Sequence, residues 1–439
     1  MKNILTENVI EEISKKNSEP GWMKNKRLEN WHLFKEMPMP TGREETWRRT
    51  DYGSFKIIET IPYIGPLTQT NEYNDDSNYR SKFSHSHENG ICGSLVQRNS
   101  HTVFNDLEDG LQRKGVIYTD IISAIHRHPD LIKQYLLTDC IKPGDSKFAA
   151  VHAACLNGGT FLYIPKGVEV NLPIKASFSM NTHGAGMFYH TLIVAESGSK
   201  VTYIEEYNSP FPAAQSISNS AVEIYLDEGA KVNYVGLQNL GTNAHHFINK
   251  RAIVEKDASM HWIEGLMGSK LTKSYIETIL KASGSNTSML GTFLANNEQH
   301  IDLSTLIHHL APDTTADLLI NGALNGRARS VFQGMIKIAK NAQRTNSYMG
   351  NHNLILSGKA RADSIPRLEI EADDVHATHG VSIGQVDEEQ LFYLMSRGIS
   401  HKWAQDMIVD GLFEAVLQKI KQDDIRETLR IFIKGMWCI

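Results

Sequence analysis

Between residues 148 and 384 the chain is a succession of short runs in which apolar and polar residues alternate, with no helix-length segment between them. TFLYIPKGVEVNL, YHTLIVAESGSKVTYIEEY, AVEIYLDEGAKVNYVGL and HNLILSGKARADS are typical. Alternation is the period of a β-strand, whose successive side chains point to opposite faces. Small turns punctuate the runs. Glu196-Ser197-Gly198, Asp227-Glu228-Gly229, Lys256-Asp257-Ala258 and Ala282-Ser283-Gly284 follow one another at 31, 28 or 29, and 26 or 27 residues. A β-sandwich would show a similar strand texture. A recurrence in the high twenties without helices favours a solenoid, in which each coil covers the last and only the ends lack a neighbour.

The flanks read differently. Val9, Ile10 and Ile13 line a short helix after Thr6, and Pro20-Gly21 breaks it. A second helix carries Trp22, Leu28, Trp31, Leu33 and Phe34 and ends at Met37-Pro38. Residues 41–100 are polar and turn-rich, with NEYNDDSN as the most loop-like part. Residues 104–141 read as helical, with His126 and His128 on the surface of that segment. Beyond 387 the pattern is again helical. Asp387 and Gln390 form a capping-box pattern, Arg397-Gly398 marks a C-terminus, and Ser400 caps the next helix. Ala404, Met407, Ile408, Leu412 and Phe413 recur at helical spacing, followed by Ile425, Leu429 and Phe432. The expected organisation is an N-terminal helical and loop region (1–146), a β-solenoid core (147–386) and a C-terminal helical domain (387–439).

Composition narrows the function classes. The chain has 439 residues, 41% of them apolar, and 45 basic against 50 acidic side chains, a formal charge of −5. A mildly acidic chain without a basic run is not built for bulk nucleic-acid binding. No apolar stretch reaches the roughly 18–20 residues of a membrane span. The N-terminus lacks a signal-peptide core, so a cytoplasmic location is expected. Four scattered cysteines, Cys92, Cys140, Cys155 and Cys438, make neither a disulfide framework nor a self-contained four-thiolate site. Cys155 reads as a core residue of a first-coil strand.

No phosphate loop, dinucleotide fingerprint, serine elbow or HExxH pair is present. Three histidine clusters remain. His245-His246 reads as a surface turn. His300, Asp302, His308 and His309 read as hydrogen-bonded polar positions on the solenoid. ADDVHATHG (372–380) combines Asp373, Asp374, His376 and His379, residue types that can hold iron.

The segment around that last cluster, LILSGKARADSIPRLEIEADDVHATHGVSIGQVDEEQLFYLMSRGIS (354–400), closely resembles the SufB/SufD family of iron–sulfur cluster assembly. So do QHIDLSTLIHHLAPDTTADLLINGAL (299–324), VFQGMIKIAKNAQRT (331–345), KFAAVHAACLNGGTFLYIPKGVEVNLP (147–173) and EETWRRTDY (44–52). The resemblance implies a right-handed parallel β-helix between helical end regions. SufB-like chains carry a cysteine where this chain has Asn351, followed by His352. Their Glu-His-Glu triplet aligns with Thr378, His379 and Gly380. SufD-like chains share the DDV…HG form and the pattern supplied by Trp47, Arg48, Thr50 and Asp51. A cysteine found in some of them is Ala377 here. The resemblance therefore points to a SufD-like chain, with a SufB-like scaffold as the alternative.

What the resemblance implies is a non-catalytic subunit that pairs through its β-helix with a SufB-like protein and docks a SufC-like ATPase through its C-terminal helices. Leu391, Tyr393, Leu394, Arg397, Met407 and Phe413 are the expected docking residues. His379 is the candidate ligand for iron or a transient cluster at the SufB interface, with His352 and His376 as lesser candidates. No group is expected to be held stably by this chain alone. Many carbohydrate-active enzymes are also parallel β-helices, but the chain shows no export signal.

Overall fold

A computed structural model of the chain describes residues 5–51, 60–64, 90–180, 182, 184–209 and 216–437. The NEYNDDSN segment and Cys438 lie outside the described residues.

The core is a parallel β-solenoid of about eight turns. Each turn gives one strand to each of two sheets. Sheet A runs from β4 (Ile117–Asp120) through β5 (Gly158–Ile164), β8 (Tyr189–Ala195), β10 (Ser216–Leu226), β12 (Ala244–Val254), β14 (Leu271–Leu280), β16 (His300–His309) and β18 (Arg329–Ile338) to β20 (Arg361–Ile370). Short strands β1 (Ile61–Pro62) and β7 (Ala185–Met187) pair beside it. Sheet B runs from β3 (His101–Leu107) through β2 (Gly93–Arg98), β6 (Ile174–Ser179), β9 (Lys200–Asn208), β11 (Lys231–Asn239), β13 (Ser259–Leu266), β15 (Asn286–Ala295), β17 (Thr315–Leu324) and β19 (Thr345–Ile355) to β21 (Val375–Gln385).

The turns named from the sequence are the corners. Gly198, Gly229 and Gly284 have φ of 69°, 69° and 75°, a region that suits glycine. Successive coils stay in register, so inward side chains stack in columns. One column in sheet B runs Tyr203, Tyr234, Trp262, Met289, Leu318, Met349 and His379. Its first six members are almost wholly buried.

Helices clothe both sheets. Helices α1 (Glu7–Lys16) and α2 (Gly21–Glu36) form where expected. Residues 104–141 differ from the helical expectation. β3 and β4 occupy part of that stretch, around α3 (Asp109–Arg113), α4 (Ile121–Arg127) and α5 (Pro129–Tyr135). Their side chains alternate across a pairing edge, which a short window does not separate from a helix. Cys155 is buried as expected, but it ends a helix, α6 (Lys147–Cys155), not a strand. Ser146 caps α6 by accepting the Ala149 N–H at 3.1 Å. The solenoid sheets also begin before residue 147, because β2 joins sheet B beside β6.

Helices α7 (Glu388–Ser396), α8 (His401–Leu417) and α9 (Asp423–Trp437) follow the last strand. Asp387 caps α7 through the Glu389 and Gln390 N–H groups, Gly398 ends it at φ 85°, and Ser400 caps α8. Val409, Phe413, Val416, Leu417, Ile425 and Leu429 pack on the outer face of sheet B, against Val235, Leu237, Ile263, Leu290 and Leu319. Sheet B is thus apolar on both faces, which explains runs such as MLGTFLA.

Candidate functional site

Among the described residues the two sheets stop at β20 and β21, and each of these strands pairs on one side only. Their outer edges carry unpaired backbone N–H and C=O groups. Because register is kept, the inward side chains of this last coil point over the bore, and no described strand stacks on them. Leu368, Ile370, Val381 and Ile383 are 37, 41, 39 and 46% exposed, although their counterparts one coil back belong to the core face. His379 is the final rung of the inward column, directly after buried Met349. Its imidazole is exposed only because the stack ends there.

The three candidate histidines do not converge. Strand parity puts His376 and His352 on the outward face and His379 on the inward one. His352 shares a 2.7 Å hydrogen bond with the Ser382 hydroxyl, and Ser382 lies six residues along the strand from His376. At about 3.3 Å per residue that is roughly 20 Å. Among the described residues no three His, Cys, Asp or Glu side chains are grouped so as to hold a metal ion. A Cβ on Gly380 would lie 3.0 Å from the hydroxyl of Tyr348, the end of an exposed side chain.

No described thiol reaches this end. Cys92, Cys140 and Cys155 are buried. Burial, reinforced by Glu108, pushes the Cys92 thiol up to about 12, and burial raises Cys140 and Cys155 as well. The open end can therefore offer imidazole and β-edges, but not thiolate from the described chain.

Two residues after β21 the chain enters α7, none of whose residues is buried. Phe392, Tyr393 and Met395 on α7, with Trp403 and Met407 on α8, form an exposed apolar surface, Phe392 being 74% exposed. Of the expected docking residues, Tyr393, Arg397 and Met407 are exposed, and Leu391 and Leu394 are half-buried. Arg397 lies over the Tyr393 ring at 5.1 Å. Phe413 is a correction. It is 1% exposed and wedged against sheet B, so its ring serves packing within the chain. Phe392, Met395 and Trp403 were missed. For Phe392 and Met395 the signal is an apolar run, LFYLM (391–395), too apolar all round for one buried stripe; Trp403 lies in the next helix, outside that run.

The other histidine clusters are structural. His245 and His246 correct the surface-turn expectation: both are buried in β12, and burial pulls them down to about 4 and about 3. His309 is buried between Thr314 and Ser347. Asp302 binds Lys273 at 2.7 Å and the Thr50 hydroxyl, pinning the 44–51 segment across sheet A. A further polar hub went unnoticed in the sequence. Glu223 accepts the Leu137 and Ile141 N–H groups at 2.7 and 2.8 Å and holds His190, which in turn meets His152 at 3.0 Å. It fastens the α5 connection to sheet A.

Comparison with known proteins agrees with this layout. Residues 178–412 match the SUF system FeS cluster assembly SufBD core domain, and residues 5–176 match the SufBD protein N-terminal region. Over 434 residues, 97% of this chain and 92% of the relative, the sequence is 32% identical to the iron–sulfur cluster assembly protein SufB of Bacillus subtilis. It is equally similar, over the same shares, to an iron–sulfur cluster assembly SufBD family protein of Staphylococcus haemolyticus. One of Staphylococcus epidermidis is 31% identical, also over 97% and 92% of the two chains.

Proposed function

Because the chain belongs to the SufBD family of iron–sulfur cluster assembly, we propose that it is an assembly subunit whose open solenoid end pairs with a second SufBD-type chain. The observation that carries this is the unfinished inward column. Six buried rungs lead to an exposed His379, and four exposed apolar side chains surround the same bore. A second solenoid added edge to edge would complete both the β-ladder and the core. His379 would then be enclosed at the junction, positioned to receive iron or a nascent cluster as cargo, with thiolates supplied by the partner.

The exposed surface of α7 and α8 is read as the docking face for a SufC-like ATPase. It follows the pairing strand by two residues, so force on the helices is transmitted directly to β21. Closure of two ATPase subunits would thereby rearrange the junction around His379.

The names of the relatives support a SufB-like assignment at least as well as the SufD-like one. The side chains at 351 and 378–380, with no described thiol at the open end, support a chain that contributes imidazole to a partner's ligand set. Both assignments share the pairing geometry.

Co-expression with SufB-like and SufC-like proteins, followed by size exclusion and iron and sulfide analysis after reconstitution, tests this reading. The expected result is one complex that gains iron and sulfide, and a His379→Ala complex that assembles but loses most of both. Full loading of His379→Ala would remove the ligand role, and elution of the chain alone would remove the pairing.

A further inference from the structure

A chain of hydrogen bonds crosses the outer face of sheet A where helix α6 and the segment after α5 lie on it. At one end His152 Nδ1 faces the main-chain carbonyl of Asn219 at 2.8 Å. His152 Nε2 meets His190 Nδ1 at 3.0 Å, and His190 Nε2 meets a carboxylate oxygen of Glu223 at 2.9 Å. The same carboxylate accepts the Leu137 and Ile141 N–H groups at 2.7 and 2.8 Å. Glu223 and His190 are 0% exposed and His152 is 2% exposed, so water does not complete any of these contacts.

The ends of the chain fix its proton count. A carbonyl only accepts, so His152 Nδ1 carries a proton. An ionised carboxylate only accepts, so His190 Nε2 carries another. The contact between the two rings needs a third, because two bare nitrogens face each other without a hydrogen bond. Two neutral imidazoles hold two protons, and three make one of them an imidazolium. Two backbone N–H bonds favour the ionised form of Glu223 over its acid form. The positive charge falls on His190, which touches that carboxylate. Burial, and next the charge of His190, pull His152 down to about 3 and keep it neutral. His190 and Glu223 are thereby a buried ion pair with every ring nitrogen used.

The surrounding groups do not replace this charge. Arg27 on α2 is bound by Glu19, and Arg251 by Asp145 and Glu277. Lys26 on α2 donates to the Leu136 carbonyl at 2.6 Å. The Cys140 thiol and the Tyr225 hydroxyl are raised by burial first and by Glu223 second, so both stay neutral.

We propose that this chain is a proton-dependent latch between the N-terminal helices and the solenoid. With His190 doubly protonated, Glu223 holds the 136–141 connection and His152 holds α6 against sheet A. When the extra proton passes to hydroxide in solvent, one of the two His190 contacts loses its hydrogen and the connection is released. The sign follows from linkage. An unfolded imidazole gives up this proton near pH 6.5, about its ordinary value. Above that the folded chain binds more protons than the unfolded one, so the latch weakens as pH rises. This is opposite in sign to a histidine buried neutral. The latch is independent of the open end and of the histidines there.

Two measurements on the full chain test it. Long-range proton–nitrogen NMR spectra of protein labelled with ¹⁵N-histidine, assigned with His190→Gln and His152→Gln, report which ring nitrogens carry protons. At pH 7.5 the expected result is two protonated nitrogens on His190 and one on His152. Hydrogen exchange, corrected for the intrinsic pH dependence, reports the hold on the connection. Protection of the Leu137 and Ile141 amides is expected to fall by about tenfold or more between pH 7 and pH 9.5. In His190→Gln it is expected to be low at both. A bare nitrogen on His190 at pH 7.5 would overturn the proposal on the wild-type protein alone. So would protection at 137 and 141 that is unchanged up to pH 9.5, or that a folded His190→Gln chain retains.

Discussion

The two ends of the solenoid obey the same register but are finished in opposite ways. At the first coil the chain turns back on itself. β4 runs antiparallel to β5 and β3 antiparallel to β2, and Leu95, Leu107, Leu111 and Tyr118 close the bore as part of the main core. At the last coil no described segment turns back, and Leu368, Ile370, Val381 and Ile383 remain 37–46% exposed. A solenoid needs both ends covered, because bare edges recruit other strands. This chain spends a hairpin, a helix and an antiparallel strand on one end and leaves the other bare. The difference is what the proposed pairing with another chain at the bare end rests on.

The largest effect should separate the ends by a single truncation at each. Leu95→Ala removes a fully buried side chain at the capped end and should cost about 2–5 kcal/mol. Ile383→Ala, at a position 46% exposed, should cost under about 1 kcal/mol in the isolated chain. Urea unfolding of the two variants measures this directly. Equal losses would mean that the last coil is covered within the chain itself.

A smaller effect concerns acid. His152 and His246 are pulled down to about 3 mainly by burial, and His245 and His309 to about 4. The unfolded chain takes up these protons near pH 6.5, whereas the folded chain does so only near 3–4. The unfolded state therefore binds more protons between those values, and stability falls as pH drops through that window. Each such histidine contributes up to about 1.4 kcal/mol per pH unit. Unfolding midpoints at pH 7.5 and 5.0 should differ markedly, and His246→Phe should reduce the difference. A flat pH profile would contradict the buried, neutral assignment.

The smallest stability effect is expected at the exposed helical surface. Trp403→Ala, at a side chain 65% exposed, should move the unfolding free energy by less than about 0.5 kcal/mol. Its consequence should appear instead as weaker co-purification of the SufC-like ATPase.

Much of this architecture was legible because alternation and turn spacing are local signals. The glycines at 198, 229 and 284 fall at corners as the spacing required. What escaped was set by tertiary partners. His245-His246 follows a real turn at 241–243, yet both side chains sit inside a strand that neighbouring strands bury on either side. The segment KFAAVHAAC lies among strands in sequence, but its alanines and the Ser146 cap favour helix, a signal that was present and outweighed by its surroundings. Phe413 belongs to a helical stripe, and a stripe reports which face is buried without saying whether the cover is the same chain or another. His379 was reached through family resemblance. Its place at the end of a stacked column depends on register across seven strands and cannot be read from its own neighbourhood. The carbohydrate-active alternative loses its basis once the family is shown.

The most direct test of the central claim is hydrogen–deuterium exchange of the β21 segment, residues 375–385, in the chain alone and in complex with a SufB-like partner. The expected result is fast exchange of outer-edge amides in the free chain and strong protection in the complex, with the β2–β3 hairpin unchanged. A complex that forms while residues 375–385 exchange as fast as before would contradict the claim that the open end is the pairing edge.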